Sequence, residues 1–184
     1  MKIILYHSGN YIIETPDIHY GRKNADLGQG FYLSQSEDFV RRWSNEKKGM
    51  STYVNKYVLD LENLKVKTLQ RDSEWFDYIY NNRNGYEDTY AEYDVIEGPI
   101  ANDIIYDLLG ITTSGVLGKE KAMEILMKGP EYRQLVIKTK KASDALSFMG
   151  HYVMTSDEMK ELYEMAKAEE EEFQKLVGEI MKDD

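Results

Sequence analysis

Apolar and polar positions change period several times along the chain, and each change predicts an element. Residues 2–6 (KIILY) are a short apolar run and predict a buried strand. Residues 10–29 are mostly polar, with Pro16, Gly21 and Gly28 among them, and predict a long loop. GFYLS at 30–34 predicts a second strand. Ser36 then starts a helix to about Asn45, with Glu37 and Asp38 placed favourably against the helix dipole. TYVNKYVLDL (52–61) alternates as a third strand.

Ser73 as N-cap predicts a helix through Asn82, with Trp75, Phe76 and Ile79 on one face. YDVIEGPI (93–100) predicts a buried strand closed by Gly-Pro. Helices are expected over 102–109 and 119–127, and strands over 133–139 (RQLVIKT) and 145–154 (ALSFMGHYVM). Thr155 and Glu158 form a capping box ahead of a helix to about Met181. Leu162, Tyr163, Ala166, Phe173, Leu176, Val177 and Ile180 make an apolar stripe on that helix, and 169–172 reads as its solvated face. Strands and helices do not alternate regularly and no repeat is visible, so the class expected is α+β. The expected organisation is a domain over 1–154 followed by an amphipathic helix over 155–184. The stripe has three uses: packing on its own domain, self-association, or docking a partner or inhibitor protein.

Composition removes several chemistries. The chain contains 0 cysteines, which excludes disulfides, thiolate metal sites and cysteine nucleophiles, and fits a reducing, cytoplasmic location. The first apolar run is too short for a secretory signal, and no segment approaches the roughly 20 apolar residues of a membrane span. A formal net charge of -10 argues against generic binding to nucleic acid or anionic membranes. It leaves open a dinucleotide held by backbone amides. His7, His19 and His151 lie far apart without metal-ligand spacing, so no metal is expected. Phosphate loop, HExxH and GxSxG motifs are absent from the sequence. Lys138, Lys140 and Lys141 form a basic cluster that reads as a solvated strand end.

Three segments carry the candidate chemistry: LYHSG at 5–9, LGQGFYLS at 27–34 and EYRQLVIKT at 131–139. In this order they resemble the His-Tyr-Glu class of ADP-ribosyltransferases, the group of the poly-ADP-ribose polymerases and diphtheria-type toxins. More specifically, the chain resembles a bacterial family of uncharacterised domains (DUF3990-like) assigned to that superfamily. That family shares a tryptophan after the second strand (Trp43), an Asn-Arg dipeptide (Asn82, Arg83), a YDxxxGxxAND stretch (93–103) and a QxxxxT strand (134–139). The resemblance covers roughly residues 3–150.

The resemblance implies split mixed sheets around an NAD cleft, with NAD as substrate and ADP-ribose transferred to an unknown acceptor. It implies that His7 bonds a ribose hydroxyl and that the backbone at Ser8, with Gly9 following, holds the nicotinamide carboxamide. Tyr32 would stack on the nicotinamide ring with Trp43 supporting it, and Gly28 and Gly30 would permit a tight turn and close backbone approach. Nicotinamide would leave through an oxocarbenium-like state, stabilised by a group that bonds the ribose 2′-hydroxyl. The chain departs from the class at Gln134, which stands where the polymerases have a glutamate. A neutral amide argues against chain elongation and for mono-ADP-ribosyl transfer, in a toxin–antitoxin or defence setting. NAD hydrolysis and a non-catalytic NAD or ADP-ribose binding module are the alternatives, with an interaction role of the C-terminal helix as a third. Glu131 is the fallback carboxylate, and Glu97 and Asp103 are further candidates. Ser8 stands where the family usually has glycine. Residues 93–103 read more simply as structural, with Asp94 and Asn102 capping turns.

Overall fold

Two β-sheets joined at one point organise the chain. The computed structural model describes residues 1–42, 44, 49–101, 119–128 and 131–180, so Trp43, Asp103 and the expected 102–109 helix lie outside the described residues. In chain order the elements are β1 (Lys2–Gly9), β2 (Phe31–Leu33), α1 (Glu37–Arg42), β3 (Thr52–Asp60), β4 (Val66–Thr68) and α2 (Ser73–Arg83). Then come β5 (Val95–Pro99), α3 (Lys119–Lys128), β6 (Arg133–Ile137), α4 (Lys140–Asp144), β7 (Leu146–Met154) and α5 (Ser156–Ile180). One sheet has 3 strands in the order β1-β3-β7, and the other has 4 in the order β2-β6-β5-β4. All pairings among the described residues are antiparallel except β4 with β5, so the fold is α+β with one antiparallel sheet, one mixed sheet and a long C-terminal helix; the expectation of two mixed sheets holds for the four-stranded one. Among the described residues a single antiparallel bridge, Tyr6 to Ser34, connects β1 to β2 and hence one sheet to the other.

Strand alternation decides which residues enter which core layer. Leu5, Phe31, Leu33, Tyr57, Leu59, Val95, Leu135 and Ile137 fill the space between the sheets. The intervening residues Ile96 and Val136, with Tyr32 beside them, face the other way and pack on Trp75, Phe76 and Ile79 of α2. Phe173 and Ile180 of α5 close that second cluster. A third cluster joins Phe39 and Val40 of α1 to Val54, Met154 and Met159.

The C-terminal helix therefore packs on its own domain, one of the three uses its stripe allows. Its capping box forms as the sequence indicates: Thr155 N–H donates to Glu158 Oε2 at 2.9 Å and Glu158 N–H donates back to Thr155 Oγ1 at 3.3 Å. Two details differ from the expected pattern. Tyr163 points to solvent, at 64% exposure. Glu169 belongs to the packed face, where it takes Arg42 Nη1 at 2.6 Å and the Tyr132 hydroxyl at 2.5 Å. Its neighbours 170–172 are exposed.

Two elements escape the sequence pattern because they are too short to show a period. These are the three-residue strand β4 and the single turn α4, which Thr139 caps by accepting from Ala142 N–H at 3.2 Å. That cap ends β6 before the expected residue 139. The N-cap of α2 is Asp72 rather than Ser73, since its Oδ1 accepts from Trp75 N–H at 3.1 Å. The lysine cluster is not a free solvated strand end. Lys138 pairs with Asp88, Lys140 with Asp144 and Lys141 with Asp94.

Asp94 holds the end of β6 to the start of β5. Its carboxylate accepts from Lys65 N–H at 2.8 Å, Thr139 Oγ1 at 2.7 Å and Lys141 Nζ at 3.1 Å. Burial works to raise its pKa, but these donors outweigh burial and hold it below the ordinary value. The sign follows: a depressed carboxylate stabilises fully above the unfolded pKa of about 3.9, and the contribution is lost as pH falls through the lower folded value. Asp94→Asn is expected to lower the melting temperature at pH 7, and the difference from wild type should shrink as pH falls below the unfolded carboxylate value and vanish below the lower folded one. Parallel melts across pH check it.

Candidate functional site

The wall of the site is set by one carboxylate. Asp26, in the loop before β2, accepts from Arg83 Nε at 2.7 Å and from Ala101 N–H at 3.0 Å. Its carbonyl takes Asn82 Nδ2 at 2.9 Å, and Arg83 Nη2 reaches the carbonyl of Ala101 at 3.1 Å. Asn82 and Arg83 end α2, so the helix end clamps the loop on one side and the chain after β5 on the other. Arg83 and Asp26 side chains are only 8% and 17% exposed. Their pairing excludes water from much of the contact.

The same loop fixes Tyr32. The Tyr32 hydroxyl accepts from Leu27 N–H at 2.9 Å and donates to the Gly28 carbonyl at 2.7 Å. Burial raises the phenol far above its ordinary pKa, so it stays protonated and keeps both bonds. Gly28 has φ +84, which lets the chain turn tightly there. At Gly30 the close approach is to the protein itself: an added Cβ would lie 2.4 Å from the Ile137 carbonyl oxygen. Tyr32→Phe is expected to cost about 1–2 kcal/mol of stability by leaving the buried Leu27 N–H without its acceptor, as equilibrium denaturation reports. Tyr32→Ala would disturb loop and core together, so the phenylalanine variant is the cleaner probe.

At the joint between the sheets, β1 and β2 part. Tyr6 and Ser34 exchange two backbone bonds, of 2.8 and 3.0 Å. Continuing that register by two residues would pair Ser8 with Tyr32. Instead, the Tyr32 carbonyl accepts from the His7 imidazole at Nδ1, at 2.8 Å. A carbonyl can only accept, so Nδ1 carries the proton, and a neutral ring then offers Nε2 as an acceptor. Burial lowers the His7 pKa and outweighs the carbonyl contact, keeping the ring neutral at pH 7. The ring packs on Phe31 at 4.6 Å between centroids. Gly9 lies beside Nε2, where an added Cβ would sit 3.4 Å away. Alternation along β1 directs the N–H and C=O of Ser8 to the same edge as those of Tyr6, beyond the last bridge. The Ser8 hydroxyl donates to Val40 O at 2.9 Å and fastens β1 to α1.

Two cavities lie beside β2 and β6, and no residue of β1 lines either of them. One, of about 290 Å³, is lined by Arg22, Asp26, Tyr32, Arg83, Ala101 and Gln134 among others. The second, of about 390 Å³, includes Ser34, Glu97, Glu131, Tyr132, Arg133 and Gln134. Gln134 and Phe39 line both. Gln134 shares the Tyr32 side of its sheet, because Tyr32 pairs with Val136, two residues on. Glu131 is exposed and pairs with Arg133 Nη1 at 2.9 Å, off the Tyr32 side. Glu97 meets Arg133 Nε at 3.4 Å. The structure thus gathers Tyr32 and Gln134 in one cleft, joins His7 to the main chain of Tyr32, and sets Glu131 and Glu97 in the neighbouring cavity.

A family model described as "Protein of unknown function (DUF3990)" matches residues 3–148. The chain belongs to that family. A search of curated proteins finds no match. In this DUF3990 member, the Asn-Arg dipeptide and the Ala101 of the AND stretch are the residues that clamp the loop carrying Tyr32. Arg22 and Asp26, which line the cleft, escaped sequence reasoning because nothing local marks a polar loop residue as clamped. The Asn-Arg motif was the available signal. Among the described residues, no group of three His, Asp or Glu side chains could hold a metal ion, and no helix is long and apolar enough to cross a membrane.

Proposed function

We propose that this DUF3990 protein is a mono-ADP-ribosyltransferase of the His-Tyr-Glu type that cleaves the nicotinamide–ribose bond of NAD. The observation that carries the reading is the parting of β1 and β2 at His7. His7 takes the carbonyl that Ser8 would otherwise pair with, and this leaves the Ser8 backbone at the edge of β1 beyond the Tyr6–Ser34 bridge, with His7 Nε2 as an acceptor. An N–H and a C=O side by side fit the two halves of a carboxamide, and a neutral imidazole nitrogen fits a ribose hydroxyl donor. The two cavities together are of the size range of small-molecule sites. Arg22 supplies a cationic group at the cleft for a pyrophosphate.

Each residue has a task in this reading. The Ser8 backbone orients the nicotinamide, Tyr32 packs against its ring, and His7 Nε2 fixes the ribose. Gln134 accepts from a ribose hydroxyl without adding negative charge, which suits a slow transferase better than a polymerase. Titrating NAD into the pure protein should give saturable binding that His7→Ala weakens about tenfold or more, the loss expected for one buried polar contact. An affinity identical in wild type and His7→Ala would sink the assignment.

A further inference from the structure

We propose that the outer edge of β7 is a self-association surface, where β7 of a second copy of this chain pairs antiparallel about a two-fold axis. The NAD reading plays no part in it. In the order β1-β3-β7, β7 is the outer strand, and among the described residues no strand pairs with its far side. Backbone alternation decides what that side carries. Asp60 N–H donates to the Ala145 carbonyl at 3.2 Å, so Ala145 turns toward β3. Ser147, Gly150 and Tyr152, which pair with Val58, Lys56 and Val54, turn the same way. Leu146, Phe148, His151 and Val153 therefore turn their N–H and C=O groups outward, where an incoming strand meets them.

The side chains leave that edge unguarded. LSFMGHYVM (146–154) holds no Asp, Glu, Lys or Arg, in a chain of which 30% is charged. Edge strands are ordinarily protected by such charges, lysine above all. Instead Met149 is 59% and Val153 51% exposed. Tyr11 and Ile12 widen the apolar strip, since Asn55, the register partner of His151, donates from Nδ2 to the Tyr11 carbonyl at 3.0 Å. One feature limits the edge. The register shifts between Lys56 and Tyr57, which leaves Met149 without a ladder partner, and Gly150 follows at φ +125. That bulge breaks the outward spacing, so the pairing lies beyond it. His151 of each copy hydrogen-bonds with Val153 of the other, and Tyr152 meets its own counterpart at the axis.

Charge selects a second copy as the occupant. With a net charge of -10, two copies repel each other across most of their surfaces and can approach where the local charge is absent. The uncharged strand is such a place. A basic partner would gain nothing there and would be drawn to the exposed glutamates at 170–172 of α5. An isologous contact also needs no complementary sequence beyond the strand itself.

The test is sedimentation velocity of the full chain up to about 100 μM, a range that covers micromolar affinities. A dimer is expected. Val153→Pro removes one outward N–H and spares the ladder to β3, so it should weaken the dimer about tenfold or more while the chain still melts cooperatively. Val153→Lys places a charge on the same edge and should act likewise, which covers the case of a proline variant that does not fold. The register has its own check. The chain has 0 cysteines, so Tyr152→Cys introduces a single thiol, and across a non-hydrogen-bonded pair the two Cα atoms lie about 4.5 Å apart, within disulfide range. Mild oxidation should convert that variant to a covalent dimer. A wild type that stays monomeric overturns the proposal and leaves the edge to an extended segment of another protein. A dimer that both Val153 variants keep at wild-type strength overturns it too, because the contact then lies elsewhere. So does a Tyr152→Cys dimer that fails to cross-link.

Discussion

Replacing Gln134 with glutamate is expected to raise the rate of nicotinamide release from NAD by about tenfold or more. The effect is electrostatic. As nicotinamide leaves, positive charge develops on the ribose, and a carboxylate placed there stabilises the transition state more than the ground state. A unit charge about 4 Å away is worth roughly 4 kcal/mol at an effective dielectric of 20. Partial desolvation of the new carboxylate cancels part of that gain. Retaining about 1.4 kcal/mol suffices for a tenfold effect. Gln134 is half-buried and pairs with Gly98 in the ladder between β5 and β6, so the isosteric change leaves the strand intact. Gln134→Ala should move the rate the other way. Equal rates in wild type, Gln134→Glu and Gln134→Ala would remove Gln134 from the reaction.

The largest loss of stability should come from Asp26→Ala. Asp26 is the carboxylate of a pair whose arginine side chain is 8% exposed, and it also takes the Ala101 N–H. Removing one member of a buried pair costs about 3–5 kcal/mol, because the remaining charge keeps its desolvation penalty and loses its partner. For a chain of this size that corresponds to about 10 °C in melting temperature. The change should also loosen the loop that anchors the Tyr32 hydroxyl, so NAD affinity should fall with stability. Asp26→Asn keeps the acceptor for Ala101 and should recover a part of the loss. A melt within about 2 °C of wild type for Asp26→Ala would show that the clamp does not hold the loop.

The fold was legible where periods are long. β1, β3, β6, β7, α2 and α5 announce themselves by alternation or by a stripe at helical spacing, and the capping box marks the start of α5 to the residue. β4 and α4 did not, because three residues of strand and one turn of helix are too few to show a period. β4 exists through a partner distant in sequence, its parallel pairing with β5, and α4 through the cap beside it, Thr139. Charges behaved similarly. Glu169 sits in an acidic run that reads as solvent-facing, and only packing of α5 on α1 reveals Arg42 and Tyr132 as its partners.

The candidate site divides in the same way. The motifs pointed to His7, Tyr32 and Gln134, but not to the connection among them. That connection is a side chain intruding on a ladder, His7 Nδ1 taking the Tyr32 carbonyl, and it depends on where two strands separate. No local pattern encodes that separation. Gly30 shows the converse: the motif marks it, and what the sequence does not show is its close approach to the Ile137 backbone. Trp43 lies outside the described residues, and its support of the nicotinamide ring rests on the resemblance alone.

The most direct test incubates the pure protein with NAD labelled in the nicotinamide ring and follows released nicotinamide, with His7→Ala run in parallel. Slow release by the wild-type protein is expected, reduced by about tenfold or more in His7→Ala, with His7→Ala still folding cooperatively. No release above buffer, in a sample that also fails to bind NAD by titration, would contradict it.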